Sequence, residues 1–99
     1  MARKLSREEV LEIVRVAREK GERSDLREAD LREMDLRGVH FREVDLRGAK
    51  LAGVILQGAD LSGADLAGAK CVTRTQLAAA LTDDRTKFPI FQECSTSSQ

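Results

Sequence analysis

The amino-acid sequence predicts an all-β solenoid, a chain that coils around a narrow apolar core. A five-residue phrase repeats without a gap from Ser24 to Cys71, in nine complete copies and the start of a tenth. Each copy carries a large apolar residue at its centre, which Cys71 replaces in the tenth, and the segments before and after the repeats follow other patterns. Repeats of this kind bury their apolar side only by stacking on one another, which is the basis of a solenoid.

The spacing of the central apolar residues requires the chain to turn once per repeat. A step of five residues advances an α-helix by about 500°, so the centres would scatter around its surface. On a flat strand the same step moves each side chain to the opposite face. With a right-angle turn in each repeat, residues about 20 apart stack in successive coils roughly 4.8 Å from each other. The predicted core centres are Leu26, Leu31, Leu36, Phe41, Leu46, Leu51, Leu56, Leu61, Leu66 and Cys71.

The repeated phrase resembles the motif of a known family. It is most literal in Ala29-Asp30-Leu31, Ala59-Asp60-Leu61 and Ala64-Asp65-Leu66, which are similar to the A(D/N)LXX repeat of the pentapeptide repeat family. The resemblance covers about half of the chain. It implies a right-handed quadrilateral β-helix, which on this repeat count has about two and a half coils. The stretch Thr86-Lys87-Phe88-Pro89 also resembles the Thr-x-Leu-Pro tail that often follows the last coil in this family.

Residues 1–23 are predicted to form an N-terminal capping helix. Ser6 and Glu9 have the spacing of a capping box, and Gly21 is a typical helix stop. A helix of about 14 residues is marginal on its own in water and must pack on another surface. We expect that surface to be the apolar end of the first coil; a free partner-binding helix is the alternative. The apolar stripe consists of Val10, Ile13, Val14 and Ala17.

The residue two places after each centre indicates how the chain turns. This position holds Gly in every repeat from Gly48 to Gly68, and mostly Glu in the first coil. Gly adopts positive φ readily and suits the third position of a type II turn. We therefore expect type II turns in the upper coils and another turn type at some corners of the first coil.

Residues 73–92 are predicted to close the other end of the solenoid, which itself spans residues 24–72. Thr73 and Gln76 have capping-box spacing, and residues 74–81 favour a helix. The last segment, residues 93–99, is rich in Ser, Thr and Gln and is expected to be loose. The four segments together are expected to form one structural domain.

Acidic and basic residues flank the centres in a regular order. Asp usually precedes the centre, and Arg follows it in the first five repeats. The chain has 17 basic and 17 acidic residues, so we expect a solvated surface that neutralises itself. Direct binding of nucleic acid is not expected, because the Arg residues are interleaved with acids and there is no Trp or Tyr to stack on bases.

No catalytic, cofactor-binding or metal site is predicted. His40 is the only His and is expected at the surface, and no Ser-His-Asp, CxxC or Gly-rich phosphate motif occurs. Two distant Cys residues do not suggest a disulfide framework. Cys71 is expected to be a buried core residue, and Cys94 an exposed thiol. The sequence therefore predicts a protein that is not an enzyme and needs no cofactor.

One outward position stands out as a candidate interaction site. Ile55 interrupts the column of polar residues before the centres, and nearby Gln57 is uncharged. Together with Phe88, Ile90 and Phe91 they could form a contiguous patch. Such a patch would be covered by the tail, contacted by a second subunit or incidentally exposed.

These features predict a non-catalytic scaffold or protein-binding module. Its protein partner is unknown, and it would be a monomer or a homodimer formed through the C-terminal end. The resemblance implies an alternative, a DNA-mimicking modulator or protector of a topoisomerase such as DNA gyrase, which would need a strongly negative surface. Residues 24–43 hold six acids and four Arg, a weak excess. No apolar run could span a membrane and no signal-peptide core is evident, so a cytoplasmic location is expected.

Overall fold

The computed structural model describes residues 4–91 and contains two helices with a coiled chain between them. Helix α1 spans Arg7–Lys20 and helix α2 spans Arg74–Ala78. In the described residues, the chain outside these helices forms isolated parallel β-bridges rather than continuous strands. Each side of the coil is straight for only a few residues before the next corner, so it supplies a single bridge.

The bridges form four columns, and within the repeats their members are 20 residues apart. Bridges join Asp25, Asp45 and Asp65 on the first face, and Asp30, Lys50 and Lys70 on the second; Asp35 pairs with Ile55 and His40 with Asp60 on the other two. The chain therefore turns once per repeat and stacks coil on coil, as the spacing predicts. The architecture is a solenoid of the β-helix type.

Backbone hydrogen bonds hold each coil to the next. On the first face, the Leu26 N–H donates to the Asp45 carbonyl at 2.9 Å, and the Asp45 N–H donates to the Ser24 carbonyl at 2.8 Å. The Glu28 N–H adds a third bond, to the Arg47 carbonyl at 2.8 Å. Repetition of this pattern pairs most backbone groups of the coil without a continuous sheet.

The core lies along the solenoid axis. The nine centres from Leu26 to Leu66 are all buried, and Phe41 is the largest fully buried side chain among the described residues. Most of the smaller residues two places before them are buried as well, among them Val44 and Ala49. Stacked apolar centres are thus the main source of stability, in line with nearest-neighbour contacts in repeat proteins.

The predicted tenth centre, Cys71, is not part of this core. Cys71 is half-buried, and Val72 is buried in its place. Cys71 has a left-handed φ of 66°, because the chain leaves the five-residue period there and turns toward α2. Cys71 is also disulfide-bonded, so the expectation that it is a buried core residue is wrong. The prediction for Cys94 lies outside the described residues.

All corners of the repeats use the same backbone conformation, which corrects the prediction for the first coil. Glu28, Glu33 and Glu43 have φ values of 58°, 61° and 61°, close to the 70–74° of the glycines from Gly53 to Gly68. Each corner is closed by a bond such as Ala29 N–H to the Leu26 carbonyl at 3.1 Å. The type II turn is thus imposed by stacking even where Glu makes it unfavourable.

Helix α1 packs on the first coil. Ser6 and Glu9 form the predicted capping box, and Gly21 ends the helix with a left-handed φ of 68°. Val10 and Val14 are buried in the same apolar cluster as the repeat centres. Just before the helix, Lys4 forms a parallel bridge with Asp30, which adds a pairing below the first coil.

Beyond residue 71 the coil continues although the sequence period ends. Helix α2 stops at Ala78, three residues short of the predicted end, and its Thr73–Gln76 capping box is present. Leu81 then bridges to Asp60, and Lys87 bridges to Asp65. The chain therefore builds a further, irregular layer in which α2 and the turn at residues 83–86 replace regular corners.

Candidate interaction surface

Paired Asp and Arg side chains cover the lower coils. In four repeats the Asp before the centre accepts two hydrogen bonds from the guanidinium of the Arg after it, as with Asp30 and Arg32 at 2.8 Å for each bond. The Arg backbone N–H also donates to the same carboxylate, at 3.2 Å in this pair. A bidentate Arg–carboxylate pair is geometrically specific and strong for a surface contact. The pairs are Asp25–Arg27, Asp30–Arg32, Asp35–Arg37 and Asp45–Arg47.

These pairs keep the carboxylates ionised to low pH. Hydrogen bonds from Arg32 lower the pKa of Asp30 to about 2, and those from Arg37 lower the pKa of Asp35 to about 2. Arg27 and Arg47 likewise lower the pKa values of Asp25 and Asp45. Hydrogen bonding to the charged form is the main cause in each case.

The pairs also connect neighbouring coils. The Arg27 guanidinium lies 3.8 Å from Asp45, and the Arg47 guanidinium lies 3.9 Å from Asp65. Each of these Arg residues thus separates two stacked carboxylates that would otherwise repel one another. The surface neutralises itself, as predicted, but it is less solvated than expected. The residues Asp30 and Asp45 are buried, because the long Arg side chains cover them.

Residues 4–91 contain no metal-binding cluster. His40 is exposed, as predicted. No group of three or more His, Cys, Asp or Glu side chains in this part of the chain is arranged to hold a metal ion. No described helix is both long and apolar enough to span a bilayer.

Exposed apolar side chains gather at the C-terminal end. Leu81, Phe88 and Ile90 are 59%, 48% and 82% exposed. Phe88 and Phe91 line a shallow groove of about 390 Å³ against α2, together with Arg74, Leu77, Ala78 and Thr82. The Arg74 guanidinium lies 4.4 Å from the centre of the Phe91 ring, which orders one side of the groove. We call Leu81, Phe88, Ile90 and Phe91 the C-terminal apolar surface.

Leu81 is the member of this surface that the sequence analysis missed. Its bridge to Asp60 places it in the fourth column, above His40 and Asp60, where the repeats point polar side chains outward. A leucine in that position is therefore exposed. Leu81 follows Asp60 by 21 residues, close to the spacing of 20 that joins stacked residues in the repeats. The helix between them interrupts the repeat pattern, so the sequence does not show that Leu81 stacks on Asp60.

Ile55 and Gln57, also predicted as surface residues, do not line the groove. Ile55 is 44% exposed, and Gln57 is exposed as well. Neither of them lines the groove that Phe88 and Phe91 form with α2. Of the five predicted surface residues, Phe88 and Phe91 are the two that line this groove.

The comparison with protein families agrees with this architecture. A family model described as pentapeptide repeats matches in 8 copies over residues 24–63 and 45–72. The chain belongs to the pentapeptide repeat family. Membership of this family indicates a non-catalytic repeat scaffold. No curated protein and no solved structure gave a significant match to the chain.

Proposed function

We propose that this pentapeptide repeat protein is a non-enzymatic, protein-binding scaffold that uses its C-terminal apolar surface as an interface. We further propose that a second copy of the chain occupies that surface. In this proposal a rigid, right-handed quadrilateral β-helix of about two and a half regular coils, with a helix at each end, presents the interface. The bridge columns at a spacing of 20 residues support this architecture.

One observation carries the proposal. Of the five large apolar side chains that are exposed in residues 4–91, three fall within the ten residues from Leu81 to Ile90. Scattered exposed apolar residues are ordinary, but a cluster beside an apolar groove is typical of an interaction surface. On the lower coils the solenoid is covered by neutralised Asp–Arg pairs, which offer little energy for binding because they are already satisfied.

The alternative, a DNA mimic that modulates a topoisomerase, has no supporting observation in the described residues. Mimicry requires carboxylates that stand in for phosphates along an extended surface. Here the carboxylates of Asp25, Asp30, Asp35 and Asp45 are each held by an Arg, so their charge is cancelled locally.

Sedimentation velocity over a range of concentrations tests the proposed interface. We expect the mass of the wild-type chain to rise toward that of a dimer, and Ile90→Asp and Leu81→Asp to remain monomeric at the same concentrations. Both changes should leave the fold intact, because Ile90 is 82% exposed and Leu81 lies in a column that already holds Asp60. Leu11→Asp, at the other end of the molecule, is the matched control and should dimerise normally. A wild-type chain that stays monomeric throughout would contradict self-association.

A further inference from the structure

A second groove lies at the opposite end of the solenoid, between α1 and the first coil. Its volume is about 540 Å³. One wall is a face of α1 that includes Arg7, Leu11 and Arg18, which are spaced by four and seven residues and so lie on one side of the helix. The other wall is the stretch from Arg37 to His40 in the first coil.

The groove opens at the one corner of the first coil that lacks a side chain. The other three corners carry Glu28, Glu33 and Glu43, whereas the third carries Gly38. No atom lies within 4 Å of the position that a Cβ on Gly38 would take. Gly38, which lines the groove, therefore leaves this corner open, whereas the other three corners carry Glu side chains.

Apolar side chains form the floor of the groove, between the charged residues that line it. Val14 and Val39 line it and are almost completely buried, while Leu11 is 37% exposed at its edge. An occupant would therefore need at least one apolar side chain to contact Leu11.

The charge of the groove is positive after the internal ion pairs are considered. Arg15 is held by both Glu12 and Glu19, a group with one negative charge in excess, whereas Arg37 and Asp35 form a neutral pair. Arg7 donates a hydrogen bond to the Asp35 carbonyl, which carries no net charge. Within residues 4–91, no carboxylate forms an ion pair with Arg7 or Arg18. With Arg7 and Arg18 added, the groups around the groove sum to one positive charge, and these two cations face the groove.

We propose that this groove binds an extended acidic peptide segment of a partner protein. An apolar side chain of the segment contacts Leu11 and Val39, and carboxylates on either side of it meet Arg7 and Arg18. The distance along α1 between these two Arg residues is about 16 Å at the usual helical rise, which matches about five extended residues. The site is distinct from the C-terminal apolar surface and does not depend on it.

Selection from a displayed library of random heptapeptides on the immobilised full chain tests the proposal. We expect enriched peptides to carry Asp or Glu on both sides of an apolar residue. Binding of an enriched peptide, measured by fluorescence anisotropy, should weaken about tenfold or more in Arg18→Gln and in Leu11→Asp, since each change removes one of the proposed contacts. Binding should also weaken as salt increases.

Two control variants separate this site from other surfaces. Arg23→Gln removes an exposed Arg that does not line the groove, and it should leave peptide binding unchanged. Leu81→Asp alters only the C-terminal apolar surface and should also have no effect. The proposal is overturned if no acidic peptides are enriched, or if enriched peptides bind Arg18→Gln and Leu11→Asp as tightly as the wild type. Circular dichroism would verify that these exposed substitutions leave α1 folded.

Discussion

Replacing corner glycines by alanine should reveal a packing rule that links successive coils. Gly53 and Gly58 have nearly the same backbone conformation, with φ values of 70° and 71°. A Cβ on Gly53 would lie 3.0 Å from the Cγ atom of Glu33 in the coil below, whereas a Cβ on Gly58 would meet only the Gly38 nitrogen at 4.0 Å. The two substitutions therefore share the backbone strain and differ in the steric clash.

The expected losses of stability follow from the backbone strain and the steric clash. Left-handed φ costs a residue with a Cβ about 1–2 kcal/mol, and Gly58→Ala should lose roughly this amount. Gly53→Ala should lose a further amount of about 1–3 kcal/mol, the usual cost of inserting a carbon into a filled site. Because part of the Glu33 side chain can move, we expect the lower half of that range. Urea unfolding measures the difference between the two variants in the free energy of unfolding, provided that their m-values are equal.

A double variant isolates the contact. Glu33→Gly removes the obstructing side chain and also relieves the left-handed strain at Glu33, so Gly53→Ala should cost no more in that background than Gly58→Ala does in the wild type. The coupling between positions 33 and 53 should then be about 1 kcal/mol or more. Equal destabilisation by Gly53→Ala and Gly58→Ala, or the absence of coupling, would refute the steric argument.

Three further outcomes follow from the structure. Leu46→Ala, at a fully stacked centre that is 2% exposed, should destabilise the protein by about 2–5 kcal/mol; an unchanged melting temperature would contradict the stacking. Folding lowers the pKa of Asp30 and Asp35 from 3.8 to about 2, so their stabilising contribution is complete above about pH 4 and is lost as the pH falls toward 2. Acid titration of Asp35→Asn should show less of this loss than the wild type, and identical acid profiles would count against the pairing. Ile55→Asp restores the usual residue of its column and should change stability by less than about 0.5 kcal/mol, whereas a larger loss or a change in mass by sedimentation would show that Ile55 makes a contact that matters.

The sequence predicts those features of the fold that its period controls. The spacing of 20 between stacked residues follows from five residues per repeat and four turns per coil, and the bridge from Asp25 to Asp45 shows it directly. The capping boxes at Ser6 and Thr73 were also predictable, because each is a local pattern of four residues. Features that depend on neighbouring residues in the sequence could therefore be predicted from the sequence pattern.

Features that depend on stacking against another coil were not predictable from local preference. Glu28 alone would avoid a positive φ, but the bond from its N–H to the Arg47 carbonyl fixes the corner geometry. Leu81 was missed for a related reason, since only the bridge to Asp60 reveals that it continues the fourth column. The aromatic residues Phe88 and Phe91, which line the groove, could be named from the sequence, whereas Leu81 could not, because its position depends on long-range pairing.

The corners also explain why Glu occurs in the first coil and Gly above it. Glu33 leans over Gly53, and Glu43 leans over Gly63, so one side chain covers two corners of its column. A second side chain in the upper corner would compete for the same space.

On the fourth column the arrangement extends to the irregular layer: Arg85 donates to Glu43 at 3.0 Å, and the Asp83 carboxylate accepts from the Gly63 N–H at 2.9 Å. The third column alone has glycine in both coils, at Gly38 and Gly58, and this is the column whose first corner leaves the groove beside α1 open. The third column therefore departs from the rule that keeps the other three corners covered, and its first corner is left available for a partner.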